Sequence, residues 1–272
     1  MQIAFAPLTA PAGGTWVVPV AADGALGPTG ADLDRRAGGT LSRALEDWGD
    51  GLKRGAAIEL RYPAGLEVDR VVLLSLGKPE SVSRFDLEGV GGSLAAKLRA
   101  LRVREADVVA EAPGDFAATP QELAIDLATG ACLRAYRFDK YRTAKESDEE
   151  AADEVAQLTL HLGEQAAAEA AWARAAAVIA GVAHGRDLVS EPANVLFPEA
   201  FAEACRELGA TLGLEVEVHD RAALERLGMR ALLGVGQGSV REPRVATLRW
   251  SARACASIPA ASPSSRPPAW RR

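Results

Sequence analysis

Short, continuous apolar runs alternate with amphipathic helical patterns in the first half of the chain, and this alternation limits the possible folds most strongly. Residues 15–20 (TWVVPV) and 68–76 (VDRVVLLSL) are bounded by Gly, Pro or charged residues, as expected for strands buried on both faces. Two other segments place apolar residues at i, i+4 and i+7, which are Leu41, Leu45 and Trp48, and Leu94, Leu98 and Leu101. We therefore expect residues 1–145 to form an α/β domain with a parallel or mixed sheet covered by helices.

A polar linker and a long connecting helix are predicted over residues 146–185. The acidic segment YRTAKESDEEAADE ends at Glu154, and an Ala-rich helical pattern follows from about Glu164 to His184. Its apolar residues step by four or three positions and are Ala168, Trp172, Ala175, Ile179 and Val182. Because this stripe is short and lacks sustained heptads, we expect a helix between two domains and not a free coiled coil.

A second α/β domain is predicted to begin near Arg186 and to be unfinished at residue 250. Pro198 suits the first turn of a helix that runs to about Gly209. Residues 214–218 alternate Leu or Val with Glu, which predicts a half-buried strand. A short helix over residues 221–227, stopped by Gly228, and a strand over residues 245–250 complete the pattern. No internal repeat is evident in the sequence.

The composition changes abruptly after Trp250. Residues 251–272 consist almost wholly of Ala, Ser, Pro and Arg, and contain no Asp, Glu, Lys or Gly. A GC-rich gene read out of frame gives such a mixture, and a genuine disordered tail has the same composition. We expect a frameshifted or truncated gene, because the preceding domain is left with an open sheet.

Composition also restricts the function classes. The chain has 272 residues, of which 48% are hydrophobic and 25% charged, as in a soluble globular protein of one or two domains. Its net charge of −6 disfavours nucleic-acid binding. We expect no signal peptide, because the N-terminal segment lacks a cationic leader, and no membrane span, because the apolar run from Ala175 is too short. Cys132, Cys205 and Cys255 are widely spaced without a CxxC motif, which predicts reduced thiols in a cytoplasmic protein.

Two glycine-rich segments could hold a phosphate group. Residues 233–239 (LGVGQGS) lack the strand before and the helix directly after that a dinucleotide fingerprint requires, so we interpret them as a tight loop between strands. Gly91 and Gly92 precede a helical pattern and could bind an anion there, but a turn between strand and helix is the simpler interpretation.

The sequence predicts no catalytic, cofactor-binding or metal-binding residue. His161, His184 and His219 share no metal-ligand spacing, and we expect His219 to be exposed at the end of its strand. Ser190 lacks the GxSxG context of a nucleophile. The acidic run SDEEAADE at residues 147–154 suits a solvated linker or a helix start.

Several segments of the second half resemble the cytosolic leucyl aminopeptidase family. These segments are RDLVSEPANVL from Arg186, PEAFAEACREL from Pro198, LEVEV, LERLGM, and ALLGVGQGS followed by EPR. Upstream, LRAYRFDKYRTAK (133–145) is similar to the end of that family's N-terminal domain. The sequence departs from the family pattern at Ser190, where Asn is usual, and at Phe197, where Thr would cap the helix.

The resemblance implies a macro-like N-terminal domain, a joining helix and a zinc-peptidase-like catalytic domain that is incomplete in this sequence. Members of the family are cytoplasmic, usually hexameric, and use two divalent metal ions, Mn or Zn, to remove N-terminal residues from peptides. Their metal ligands lie on TFDSGG-like and NTDAEGRL-like loops, which do not occur in this sequence. We therefore expect an inactive chain that binds no metal. The alternatives are a macro-like module for a nucleotide or ADP-ribose, and a non-catalytic partner of intact subunits.

Overall fold

Segments rich in Val, Leu and Ala form a six-stranded sheet in the computed structural model, which describes residues 1–143 and 154–250. The chain divides into two units, Met1–Ala183 and His184–Arg272. The strands of the first unit are β1 (Gln2–Pro7), β2 (Thr15–Ala21), β3 (Ala57–Arg61), β4 (Arg70–Gly77), β5 (Glu105–Val109) and β6 (Gln157–Leu162). Their order is β1-β6-β5-β2-β4-β3, and all neighbours are parallel except β3 and β4. The predicted mixed sheet is confirmed.

Helices cover both faces of this sheet. They are α1 (Pro28–Arg36), α2 (Thr40–Trp48), α3 (Arg84–Ala100), α4 (Pro120–Ala135) and α5 (Gln165–Ser190). Leu33 of α1 and Leu41 of α2 pack with Trp16 and Val18 on one face. On the other face, α3, α4 and the start of α5 pack against Val17 and its neighbours. Alternate residues of β2 thus enter opposite cores, which explains why its seven residues are all buried.

The predicted turn at Gly91 and Gly92 is wrong, because both glycines lie inside α3. The helix begins earlier, at Arg84, where Ser83 and Asp86 form a capping box. Gly91 instead lets α3 approach α4, since a Cβ atom there would collide with the backbone of Leu127.

The connecting helix is longer than expected, since α5 has 26 residues. Ala168 and Trp172 are buried in the core of the first unit, and the apolar stripe ends at Val182, which is exposed. By length and composition α5 could cross a membrane, because an 18-residue segment of it has a mean hydropathy of 1.3 and is 11% buried. The sequence had predicted an apolar run too short to span a membrane. Core helices of soluble proteins can have the same length and apolar composition, and Ala168 and Trp172 of α5 are buried.

The expected linker over residues 146–185 contains a strand of the sheet. β6 lies between β1 and β5, although its sequence QLTLHL was assigned to the linker. Residues 144–153 of the acidic segment lie outside the described residues, and Glu154 pairs with Arg137 at 3.5 Å.

The second unit contains α6 (Pro198–Leu212), β7 (Glu215–His219), α7 (Arg221–Arg226), α8 (Arg230–Gly236) and β8 (Val245–Arg249). β7 and β8 pair antiparallel, and α6 packs against β7 at Gly209, which lies next to Val216. The helix ends at Gly213, which adopts φ of 67°. The interpretation of residues 233–239 as a loop between strands is wrong in part, because Leu233 to Gly236 form the end of α8. Residues 251–272, the predicted tail, lie outside the described residues.

Candidate functional site

A polar cluster lies on the sheet of the first unit, where β1, β6, β5 and β2 run side by side. His161 of β6 is buried, and its Nε2 atom lies 2.7 Å from Oδ1 of Asp107 on β5. Its Nδ1 atom lies 3.1 Å from the carbonyl oxygen of Pro7 at the end of β1. The Trp16 ring of β2 packs on the imidazole, with ring centroids 4.6 Å apart. Alternation along β6 directs Gln157, Thr159 and His161 to this face of the sheet.

This cluster links neighbouring strands, and both ring nitrogens of its histidine are occupied by contacts within the protein. A general base needs a ring nitrogen directed at the proton that it removes. Both ring nitrogens of His161 face oxygen atoms of the protein itself. The cluster therefore fixes the positions of β1, β5 and β6 relative to one another.

The other singled-out polar residues lie in separate elements. His184 and Ser190 are on α5, and His219 ends β7. His219 is half-buried, which corrects the expected exposure, and its Nδ1 atom lies 3.8 Å from Oε1 of Glu217.

The described residues do not fit the metal ions that the family resemblance implies. Among residues 1–143 and 154–250, no group of three or more His, Cys, Asp or Glu side chains could hold a metal ion. Cys132 and Cys205 are free, and burial raises the pKa of Cys132 to about 11 and also raises the pKa of Cys205. Burial therefore disfavours the thiolate form of both side chains. Cys255 lies outside the described residues.

The N-terminus of α1 carries a carboxylate of the protein. Oε2 of Glu111 accepts a hydrogen bond of 2.9 Å from the backbone N–H of Thr29. Gly27, which precedes the helix, lies against Glu111 and Ala112. Because helix N-termini attract anions, the Glu111 carboxylate stabilises the start of α1.

An ion pair between α3 and α4 was not found by sequence reasoning. Arg84 donates two hydrogen bonds to the buried Asp126, from Nε at 3.0 Å and from Nη2 at 2.7 Å. These bonds raise the pKa of Arg84. The pair joins the start of α3 to the middle of α4, and no local signal joins two residues 42 positions apart.

Comparison with known proteins assigns the two units to one family. The N-terminal domain of the cytosol aminopeptidase family matches residues 17–145, and the catalytic domain of the same family matches residues 183–261. The chain belongs to the cytosol aminopeptidase family. The resemblance found in the sequence is therefore confirmed. The catalytic-domain match ends at residue 261, which is 11 residues beyond Trp250.

Relatives in this family are about twice as long as this chain. A protein of Methylorubrum extorquens, named "Probable cytosol aminopeptidase", is 42% identical over 260 residues, which cover 92% of this chain and 49% of the relative. A protein of the same name from Rhizobium etli is 39% identical over 84% of this chain and 44% of its own length. The chain therefore spans about half the length of the curated relatives that it matches.

Solved structures confirm the α/β fold. A tomato leucine aminopeptidase mutant aligns with a TM-score of 0.74 and 22% identity over 90% of this chain and 50% of its own. The bottromycin maturation enzyme BotP aligns with a TM-score of 0.62 and 27% identity over 87% of this chain and 46% of its own. BotP was also solved in complex with Mn.

Proposed function

We propose that this chain supplies the N-terminal domain and the beginning of the catalytic domain of a leucyl aminopeptidase, a metal-dependent hydrolase that releases N-terminal amino acids from peptides. The observation that carries the proposal is the order of the two matches, with the N-terminal domain at residues 17–145 and the catalytic domain from residue 183. The names of the relatives support a cytoplasmic location. The macro-like character of the first unit remains part of this proposal.

The metal ions of this enzyme are proposed to be Mn or Zn. Such ions polarise a peptide carbonyl and make water nucleophilic at neutral pH. A structure of BotP in complex with Mn supports this choice. We assign no catalytic step to residues of this chain, because its described residues offer no set of metal ligands.

We further propose that the chain of 272 residues does not hydrolyse peptides by itself. Support comes from the sequence, in which the TFDSGG-like and NTDAEGRL-like loops do not occur. Two adjacent cations need several convergent carboxylates to hold them, and those loops carry the carboxylates in the family.

An aminopeptidase assay tests both proposals. The purified chain and the full-length M. extorquens relative are each incubated with Mn²⁺ or Zn²⁺ and leucyl-p-nitroanilide. We expect the relative to release p-nitroaniline and the chain to give no release above the rate without protein. Release by the chain that a chelator abolishes would overturn its inactivity, and failure of the relative under every metal would count against the proposed reaction.

Partners of the chain are also proposals. We propose peptide substrates and a hexamer for the complete enzyme, and neither nucleic acid nor membrane as a partner. Burial of Ala168 and Trp172 in the first unit supports a core role for α5. The alternative is that the first unit is a non-catalytic module that binds a nucleotide or ADP-ribose, which titration of the chain with ADP-ribose tests. Assembly with intact subunits stays a third possibility, to be examined by copurification.

A further inference from the structure

The buried histidine of β6 contacts two hydrogen-bond acceptors. The side chain of His161 is 9% exposed, and its ring nitrogens lie 2.7 Å from Oδ1 of Asp107 and 3.1 Å from the carbonyl oxygen of Pro7. A carbonyl oxygen can only accept a hydrogen bond, and so can an ionised carboxylate. The imidazolium form carries an N–H on each ring nitrogen, so it is the form that satisfies both contacts.

The neutral imidazole can make only one of these two hydrogen bonds. It carries a single N–H, so its other ring nitrogen presents a lone pair to an oxygen atom. A hydrogen bond to the Asp107 carboxylate is charge-assisted and therefore stronger than one to a backbone carbonyl. We expect that loss of a proton from the ring breaks the contact with Pro7 and keeps the contact with Asp107.

Asp107 is the charged group that faces the ring. β1, residues 8–14 and β2 contain no Asp, Glu, Lys, Arg or His. On β5, Glu105 lies two positions before Asp107 on the same side of the strand and is exposed. The helices α1 and α2 direct buried leucines at this face of the sheet. Within residues 1–143 and 154–250, no charged side chain other than that of Asp107 contacts the imidazole.

We propose that His161 is a pH-sensitive link, which holds the end of β1 on the sheet when its ring is protonated and releases that end when the proton is lost. Histidine is the side chain that ordinarily changes its charge between about pH 5 and 8. Among the strands of the described chain, β1 pairs with β6 alone, so its end has no second strand to hold it. Just after Pro7, the backbone N–H of Leu8 donates to the carbonyl oxygen of Leu162 at 3.1 Å, and this bond should open first. The link does not depend on peptidase activity.

Hydrogen–deuterium exchange of the full chain at about pH 5.5 and about pH 8, corrected for the intrinsic effect of pH on amide exchange, tests the link. The protection of residues 2–8 should be about fivefold lower at the higher pH, which corresponds to about 1 kcal/mol for one hydrogen bond. Asp107→Asn should keep the protection at both pH values. The reason is that an Asn amide can donate to Nε2 of the neutral ring, which leaves the N–H of Nδ1 for Pro7.

His219→Gln is the matched control, because His219 lies on β7 in the second unit. It should leave the fivefold change in residues 2–8 unaltered. The proposal would be overturned by a wild-type protection that does not fall as the pH rises, or by a fall that Asp107→Asn retains or His219→Gln abolishes.

Nitrogen-15 NMR of the imidazole ring tests the same link in the wild-type chain, without any variant. As the pH rises, the proton should leave Nδ1 of His161 and stay on Nε2. Loss of the proton from Nε2 instead, or retention of both protons up to about pH 8, would contradict the proposal.

Discussion

At the scale of single residues, Gly91 and Gly130 set the distance between α3 and α4. A Cβ atom on Gly91 would collide with the carbonyl oxygen of Leu127, and one on Gly130 would collide with the carbonyl oxygen of Glu88. The helices therefore meet backbone to backbone on one face of the sheet, an approach that glycine alone permits. The Arg84–Asp126 ion pair joins the first residue of α3 to the middle of α4.

Replacing Gly91 with alanine should destabilise the first unit by about 1–3 kcal/mol, because a backbone oxygen cannot move aside as a flexible side chain can. Gly89→Ala is the control, since Gly89 lies in the same helix with nothing within 4 Å of the added atom. The Gly89→Ala variant should be more stable than wild type by up to about 1 kcal/mol, because alanine has a higher helix propensity than glycine. Urea unfolding followed by tryptophan fluorescence measures both. Equal effects of the two substitutions would contradict the close contact.

At the scale of secondary-structure elements, capping boxes define where α3 and α4 begin. In α3, Ser83 and Asp86 exchange hydrogen bonds, and Thr119 and Glu122 do so in α4. Hydrogen bonds from Ser83 lower the pKa of Asp86, and those from Thr119 lower the pKa of Glu122. At the start of α6, Phe197 makes no side-chain cap, as expected from the sequence, and the Arg241 guanidinium lies 4.0 Å from the centre of its ring.

The capping acids should make the stability of the first unit depend on pH. Because their pKa values are lower in the folded state, their stabilisation is complete above the unfolded values of about 4 and is lost as pH falls through the folded values. A double variant, Asp86→Asn with Glu122→Gln, should be less stable than wild type at about pH 7. The difference should shrink as the pH drops below about 4. Thermal unfolding across this pH range measures it, and a difference independent of pH would exclude the charge as its cause.

Elements with a strong local pattern could be predicted from the sequence, and those fixed by distant contacts could not. β2 and β4 have continuous apolar runs, α6 has Pro198 in its first turn, and all three were predicted. β6 is short, and its position depends on pairing with β1 and β5, which no local signal shows. Gly91 was assigned to a turn because its contact with Leu127 on α4 is not visible in the sequence.

Neither the motifs nor the family resemblance predicted a site residue in this sequence. The motifs gave no catalytic or metal-binding residue, and the resemblance placed the metal ligands on loops that this sequence lacks. The His161–Asp107 contact joins residues 54 positions apart on neighbouring strands, so sequence spacing could not reveal it. The alternation of QLTLHL was the available signal, because it places Thr159 and His161 on the same side of a strand.

At the scale of the whole molecule, the first unit has a large apolar core, whereas the described residues of the second unit bury few apolar side chains. Both faces of the six-stranded sheet are packed with buried Leu and Val side chains. The second unit has a two-stranded sheet and two buried apolar side chains among its described residues. Because burial of apolar surface is the main stabilising term in folding, the two units should differ strongly in local stability.

Hydrogen–deuterium exchange of the purified chain, resolved by mass spectrometry, tests most directly whether the two units differ in local stability. Amides of β2 and β4 should exchange slowly, because they open only when the first unit unfolds. Amides of β7 and β8 should exchange much faster, because the described residues of the second unit bury few apolar side chains. Equal protection from exchange in β7, β8, β2 and β4 would contradict this expectation, because the two units would then be equally stable.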